Sequence, residues 1–238
     1  MSQITFRYES RCGAVFNVTP GLVDDIGQLI GTVTTEIKKQ RDANHFIGYL
    51  SVPISPRGGG NFHTNIAMAS HITAHVQKQF GEQLWILNPA AYNLPKIAKG
   101  GDYMAVWADI LAGEDGRGDD FDMLYFAGPS DVWRFFGATG DDRIGSILAW
   151  LRNQSKTDPR YRDISDDKDL RNKFLKYYGL RGSAVYSKGA HDEWNVATLL
   201  NSKRQIGDDI AIYYNGIPIE PGDYDDGTDS GYEAGLLH

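Results

Sequence analysis

The sequence predicts an α/β fold: a doubly wound, Rossmann-like parallel sheet with an N-terminal strand and helix extension and a helical insertion. Short apolar segments at 46–55, 84–87, 121–126 and 209–214 alternate with stretches whose apolar residues recur at helical spacing. The first three close on turn residues, Pro56-Arg-Gly-Gly-Gly60, Asn88-Pro89 and Gly128-Pro129. Strands alternating with helices call for a parallel sheet, because each crossover helix returns the chain to the same end. The 238 residues, 41% hydrophobic and 23% charged, suit one such domain over 1–219, with a loose tail at 220–238 of little apolar content.

In order, Ile4, Phe6 and Tyr8 alternate as in a strand, and residues 1–45 form the extension. Thr19 and Pro20 read as cap and first-turn proline of a helix over 20–42, with Leu22, Ile26, Leu29, Ile30, Val33 and Ile37 on one face. Phe46–Ser55 reads as a buried strand. Asn61 or Thr64 caps the next helix, which runs to Gly81 through Ile66, Ala69, Ile72 and Val76. Leu84–Leu87 is the second strand. Asp102 is the expected cap of a helix through Tyr103, Val106, Trp107 and Ile110, and Phe121–Phe126 is the third strand. Ser130 is expected to cap a short aromatic helix, and 137–182 carries two polar-faced helices, an insertion or lid.

Composition narrows the function. A net charge of −7 argues against a nucleic-acid polymer as partner, since phosphate-tracking surfaces are basic. No apolar run reaches membrane-spanning length, and Met1–Arg7 lacks a signal-peptide core, so a cytoplasmic protein is expected. Cys12, the single cysteine, excludes an internal disulfide and a thiolate metal cluster. His71 and His75 share a helix face without the His-Glu-x-x-His pattern, and the acidic loop 113–120 lacks EF-hand spacing; no metal or cofactor is expected.

The stretch Ser183–Ala197 reads as a short buried strand at Ala184-Val-Tyr186, a turn at Gly189 and a helix that carries Glu193 in its first turn. Unpaired amides there favour an ionised carboxylate, and such a group can serve as a nucleophile. Ligands of parallel sheets sit at the carboxyl ends of strands, which gathers the triple-glycine loop, Asn88 and Glu193 on one rim. Glycine loops between strand and helix point amides at anions.

The ordered motifs resemble the nucleoside 2-deoxyribosyltransferase superfamily over about 47–127 and 183–215. Tyr49-Leu-Ser-Val-Pro53 resembles its first strand, Asn61-Phe62 its next helix start, Asn88-Pro89-Ala90 the end of its second strand and Asp122-Met-Leu-Tyr125 its third. Asp102-Tyr103-Met104 with Asp109 resembles the intervening helix, and Ser187–Ala197 the glycine turn and nucleophile helix.

The resemblance implies a glutamate nucleophile at Glu193, a tyrosine orienting it at Tyr49, and a base-facing acid at Asp109. About fifty residues separate the third strand from that helix, where the family has almost none. Ser187 stands where deoxyribosyltransferases carry aspartate, as in the superfamily's nucleoside 5′-monophosphate N-glycosidases. Arg57, Gly58, Gly59, Gly60 and Ser187 are then the expected phosphate contacts, beside Gly189 of the turn. The implied activity is hydrolysis of the base–sugar bond of a nucleoside monophosphate by a homodimer or other homo-oligomer. A non-catalytic nucleotide sensor, an NAD-cleaving glycohydrolase and a deoxyribosyltransferase are the alternatives.

Overall fold

The computed structural model describes residues 5–205, 207–220 and 227–236; Ile4 and tail residues 221–226, 237 and 238 lie outside them. β1 (Phe6–Glu9) and β2 (Ala14–Val18) form an antiparallel hairpin, with Phe6 opposite Val18. α1 (Val23–Asp42) buries Ile26, Ile30, Val33 and Ile37, one stripe at spacings of three and four, as its sequence requires. Thr19 does not cap this helix through its side chain. Its amide and hydroxyl instead donate to the Asp102 carboxylate, at 2.6 and 3.1 Å.

The main sheet follows the predicted alternation. It is built from β3 (Phe46–Ser51), β4 (Leu84–Leu87), β5 (Met123–Phe126), β6 (Ala211–Tyr214) and β7 (Ile217–Ile219), in the order β4-β3-β5-β6-β7. β4, β3, β5 and β6 are mutually parallel, but β7 runs antiparallel to β6, so the sheet is mixed where an all-parallel one was expected. The cause is local: Asn215 and Gly216 take φ of 56° and 81°, the backbone of a two-residue hairpin turn.

α2 (Phe62–Phe80) links β3 to β4, and Asn61 caps it by accepting the Thr64 amide at 2.9 Å. α3 (Gly100–Ala112) links β4 to β5 and is buried along almost its whole length. Asp102 lies inside this helix and accepts the Lys99 amide at 2.7 Å, so it completes the first turn from within. α4 (Pro129–Phe135) is closed in the same way by Asp131, which accepts the Gly128 amide at 3.0 Å; Ser130 is not its cap.

Strand side chains alternate between two cores. Ile47, Tyr49, Leu124, Phe126 and Ile212 pack with α1, α3, the β1–β2 hairpin and α8 (Lys188–Ser202). Leu50, Val52, Ile86, Met123 and Tyr125 pack on the other face with α2, α4, α5 (Arg143–Thr157) and α7 (Lys168–Leu180). α6 (Arg162–Asp166) joins the last two.

Three expectations change here. Residues 137–182 are anchored in the core rather than forming a detached lid: Trp150, Phe174 and Tyr178 form a continuous aromatic cluster with Phe136, with ring centroids 4.5–6.3 Å apart. Ala184–Tyr186 is a 3-10 turn and not a strand. The Ala184 amide reaches the Ala127 carbonyl at 2.8 Å, but the edge of β5 is already filled by β6, which leaves Val185 and Tyr186 exposed. The tail is not loose where it is described, since β8 (Glu233–Leu236) pairs antiparallel with β2 and completes a second, three-stranded sheet. Among the described residues no helix is long and apolar enough to cross a membrane.

Candidate functional site

A cavity of about 500 Å³ opens where the carboxyl ends of β3 and β4 meet the starts of α3 and α8. The loop after β3 lines it from Val52 to Gly58, Pro89 and Ala90 after β4 form another side, and Tyr103, Met104 and Trp107 of α3 form the wall between them. Tyr186–Ala190 and Glu193 close it from α8. Its walls are aromatic, with Phe62, Tyr92 and Tyr177 adding to Tyr103 and Trp107. Arg57, Lys99 and Lys188 bring positive charge, and Glu193 is the one carboxylate among its described lining residues.

Glu193 is held firmly. Strand alternation puts Tyr49 and Ser51 on the same face of β3. The Tyr49 hydroxyl donates to Oε1 at 2.6 Å and the Ser51 hydroxyl to Oε2 at 2.5 Å. Tyr49 is itself wholly buried, its ring edge-on to Trp107 and Phe121, so it cannot swing away. Ser187 sets where the helix begins by accepting the Ala190 amide at 3.3 Å. Glu193 therefore stands in the second turn of α8, one turn later than expected, where the orphan amides of the helix start no longer reach it.

Burial then dominates its acidity. Desolvation raises the Glu193 pKa from 4.5 to about 7, against the Ser51 and Tyr49 hydrogen bonds, which favour the anion; the neighbouring Asp192 charge raises it further. Tyr49 is pushed well above its ordinary value by burial, then by the Glu193 charge and their hydrogen bond, so it stays a donor. Because the folded-state pKa is raised, the stability tied to Glu193 is fully present below about 4.5 and lost as pH rises through about 7. Relative to Glu193→Gln, the native protein is expected to lose up to about 3 kcal/mol between pH 4.5 and 8. Urea unfolding of both proteins across that range checks it; a constant difference would contradict the buried, titrating carboxyl.

The cavity brings together Glu193, Arg57, Gly58, Ser187 and Gly189. Tyr49 stands behind Glu193 rather than on the surface of the cavity. Gly59 and Gly60 do not line it; they pack on α7, where a Cβ on Gly60 would lie 2.9 Å from the Tyr177 ring. Gly60→Ala is therefore expected to cost about 1–3 kcal/mol through overpacking, read from the shift of the urea midpoint. Asn88 turns its side chain to the Ala90 amide, at 3.0 Å, and caps the short 3-10 turn after β4.

Asp109 does not face the site. Its carboxylate accepts the Tyr8 hydroxyl and, at 2.7 Å, the Arg11 amide, which fastens the β1–β2 hairpin to α3. The base-facing role assigned to it has no geometric support.

Ser51, Lys188 and Tyr232 are site residues that sequence reasoning passed over. Ser51 was recoverable from its place two residues after Tyr49 on one strand face. Among the described residues no group of three or more His, Cys, Asp and Glu could hold a metal ion. Comparison of the chain with protein-family models, with curated proteins and with solved structures gives no match.

Proposed function

We propose that the chain is an N-glycosidase that hydrolyses the base–sugar bond of a nucleoside 5′-monophosphate, with Glu193 as nucleophile. The observation that carries this reading is the Glu193 carboxylate, buried against an aromatic-walled cavity and clamped by two hydroxyls. The reading takes the main sheet as a doubly wound, Rossmann-like core whose cavity lies at the carboxyl ends of its strands.

Bond cleavage develops positive charge on the sugar ring, so one anion below C1′ in a dry site stabilises the transition state strongly. Glu193 attacks C1′ and forms a glycosyl ester as the C1′–N bond breaks. The departing base carries away the bonding pair and takes a proton from solvent. Water then attacks C1′, frees the carboxylate and releases the proton that balances the cycle. Tyr49 and Ser51 orient the carboxylate, the aromatic walls sandwich the base, and Arg57, Gly58, Ser187 and Gly189 meet the phosphate. The resemblance implies that the chain works as a homo-oligomer, and sedimentation of the purified protein tests this.

Only ionised Glu193 attacks, so kcat/KM is expected to rise about tenfold per pH unit below 7 and to level off above it. A profile flat from pH 5.5 to 8.5 would contradict Glu193 as the nucleophile.

A second reading is a nucleotide-binding sensor without turnover. It is favoured by the same clamp, which occupies both carboxylate oxygens while burial holds Glu193 partly neutral. Release of free base from a panel of nucleoside monophosphates, nucleosides and NAD, followed by chromatography, separates the two. Binding with no release supports the sensor, and nicotinamide release alone supports an NAD-cleaving enzyme.

A further inference from the structure

The described C-terminal segment returns along α8 and is fastened at several points. The Asp192 carboxylate accepts the amides of Gly231 and Tyr232, both at 2.7 Å, and of Glu233 at 3.3 Å. Asn195 exchanges two hydrogen bonds with the Thr228 backbone, at 2.7 and 3.0 Å. Gly231 passes so close that a Cβ would lie 1.8 Å from the Lys188 carbonyl oxygen, so only glycine fits.

These bonds fix Tyr232 in the lining of the cavity. Its ring fills the space over Gly100, where a Cβ would come within 2.2 Å of it. The Arg57 guanidinium lies 5.8 Å from the ring centroid and the Lys188 ammonium 6.0 Å. An Arg57 Nη donates to the Tyr232 hydroxyl at 3.2 Å. A phenol accepting from a cation keeps its own proton to donate, and is polarised to donate more strongly. A guanidinium, an ammonium and a phenol O–H thus converge around one ring in the cavity lining.

We propose that Tyr232, with Arg57 and Lys188, forms the phosphate-binding end of the cavity, so that the chain's own C-terminal segment selects ligands carrying a 5′-phosphate. The inference rests on the nucleotide-binding half of the proposed function and replaces the cradle of three glycines, of which only Gly58 reaches the cavity. Asp192 is a positioning residue: it does not line the cavity but holds the Tyr232 amide, from the position next to Glu193.

The test is calorimetric binding of AMP, adenosine, dTMP and thymidine to the wild-type protein, Tyr232→Phe and Asp192→Asn. The wild type is expected to prefer each monophosphate to its nucleoside. Tyr232→Phe is expected to keep nucleoside affinity and lose about tenfold of that preference, the effect of one hydrogen bond to a charged group. Asp192→Asn is expected to shift the preference in the same direction by releasing the segment. An unchanged ratio in Tyr232→Phe, equal weakening of monophosphate and nucleoside, or no preference in the wild type would overturn the proposal. Base release is scored separately: preference without release contradicts the glycosidase reading alone, and release without preference contradicts this inference alone.

Discussion

Glu193→Gln and Glu193→Ala are expected to lower kcat for base release by at least about 10³-fold, the scale on which loss of a nucleophile is felt. Gln keeps the shape of the side chain and an oxygen acceptor for one of the two hydroxyls of Tyr49 and Ser51, so nucleotide affinity should survive. At pH 8 the Gln variant should also be the more stable protein, because it removes a buried anion held only by two neutral donors. Gain of stability with loss of turnover is the signature of a group placed for chemistry at a cost to the fold. Retained turnover in Glu193→Gln would remove Glu193 from the mechanism whatever the binding data show.

Phe174→Ala is expected to destabilise the protein by about 3–5 kcal/mol, the usual consequence of emptying a buried aromatic site. Phe174 is 2% exposed and touches Phe136, Trp150 and Tyr178, which join the end of α4 to α5 and α7. The effect should reach the cavity. The Tyr178 hydroxyl accepts the Asn61 amide at 3.0 Å and lies 2.7 Å from the Asn65 side-chain oxygen, while Asn65 donates to the carbonyls of Ile54 and Ser55 in the loop after β3. Weakened packing of α7 therefore loosens the loop that carries Arg57 and Gly58. Urea unfolding reads the stability, and KM for the monophosphate reads the loop. A variant with near-native stability would mean that 137–182 is an appendage after all.

The order β3, α2, β4, α3, β5 was legible because buried strands read as short apolar runs and their helices as stripes at 3.6-residue spacing. The same rule that puts ligands at strand carboxyl ends predicted that the triple-glycine loop, Asn88 and Glu193 share a rim; one cavity holds Gly58 and Glu193, whereas Gly59, Gly60 and Asn88 do not line it. Other features carry a local signal in the sequence. Asn215-Gly216 is a strong hairpin dipeptide, and it would have predicted the antiparallel β7.

Some features had none. Ala184-Val-Tyr186 has strand composition, but whether it pairs depends on which segment takes the edge of β5, and β6 lies some 25 residues further on. Asp109 on a buried helix has no direction readable from its neighbours; Tyr8 and Arg11, about a hundred residues earlier, decide it. Tyr232 becomes a site residue through contacts such as that with Asp192, forty positions away. Long-range contacts between polar side chains and backbone leave no periodic trace in a sequence, and here they decide which acid faces the cavity and which fastens the fold.

The most direct measurement is chromatography of the purified protein after incubation with nucleoside 5′-monophosphates. Free base and sugar 5-phosphate are expected in equal amounts from the native protein and from neither variant at Glu193. Tight binding of a monophosphate with no base released from any member of the series would contradict the glycosidase account.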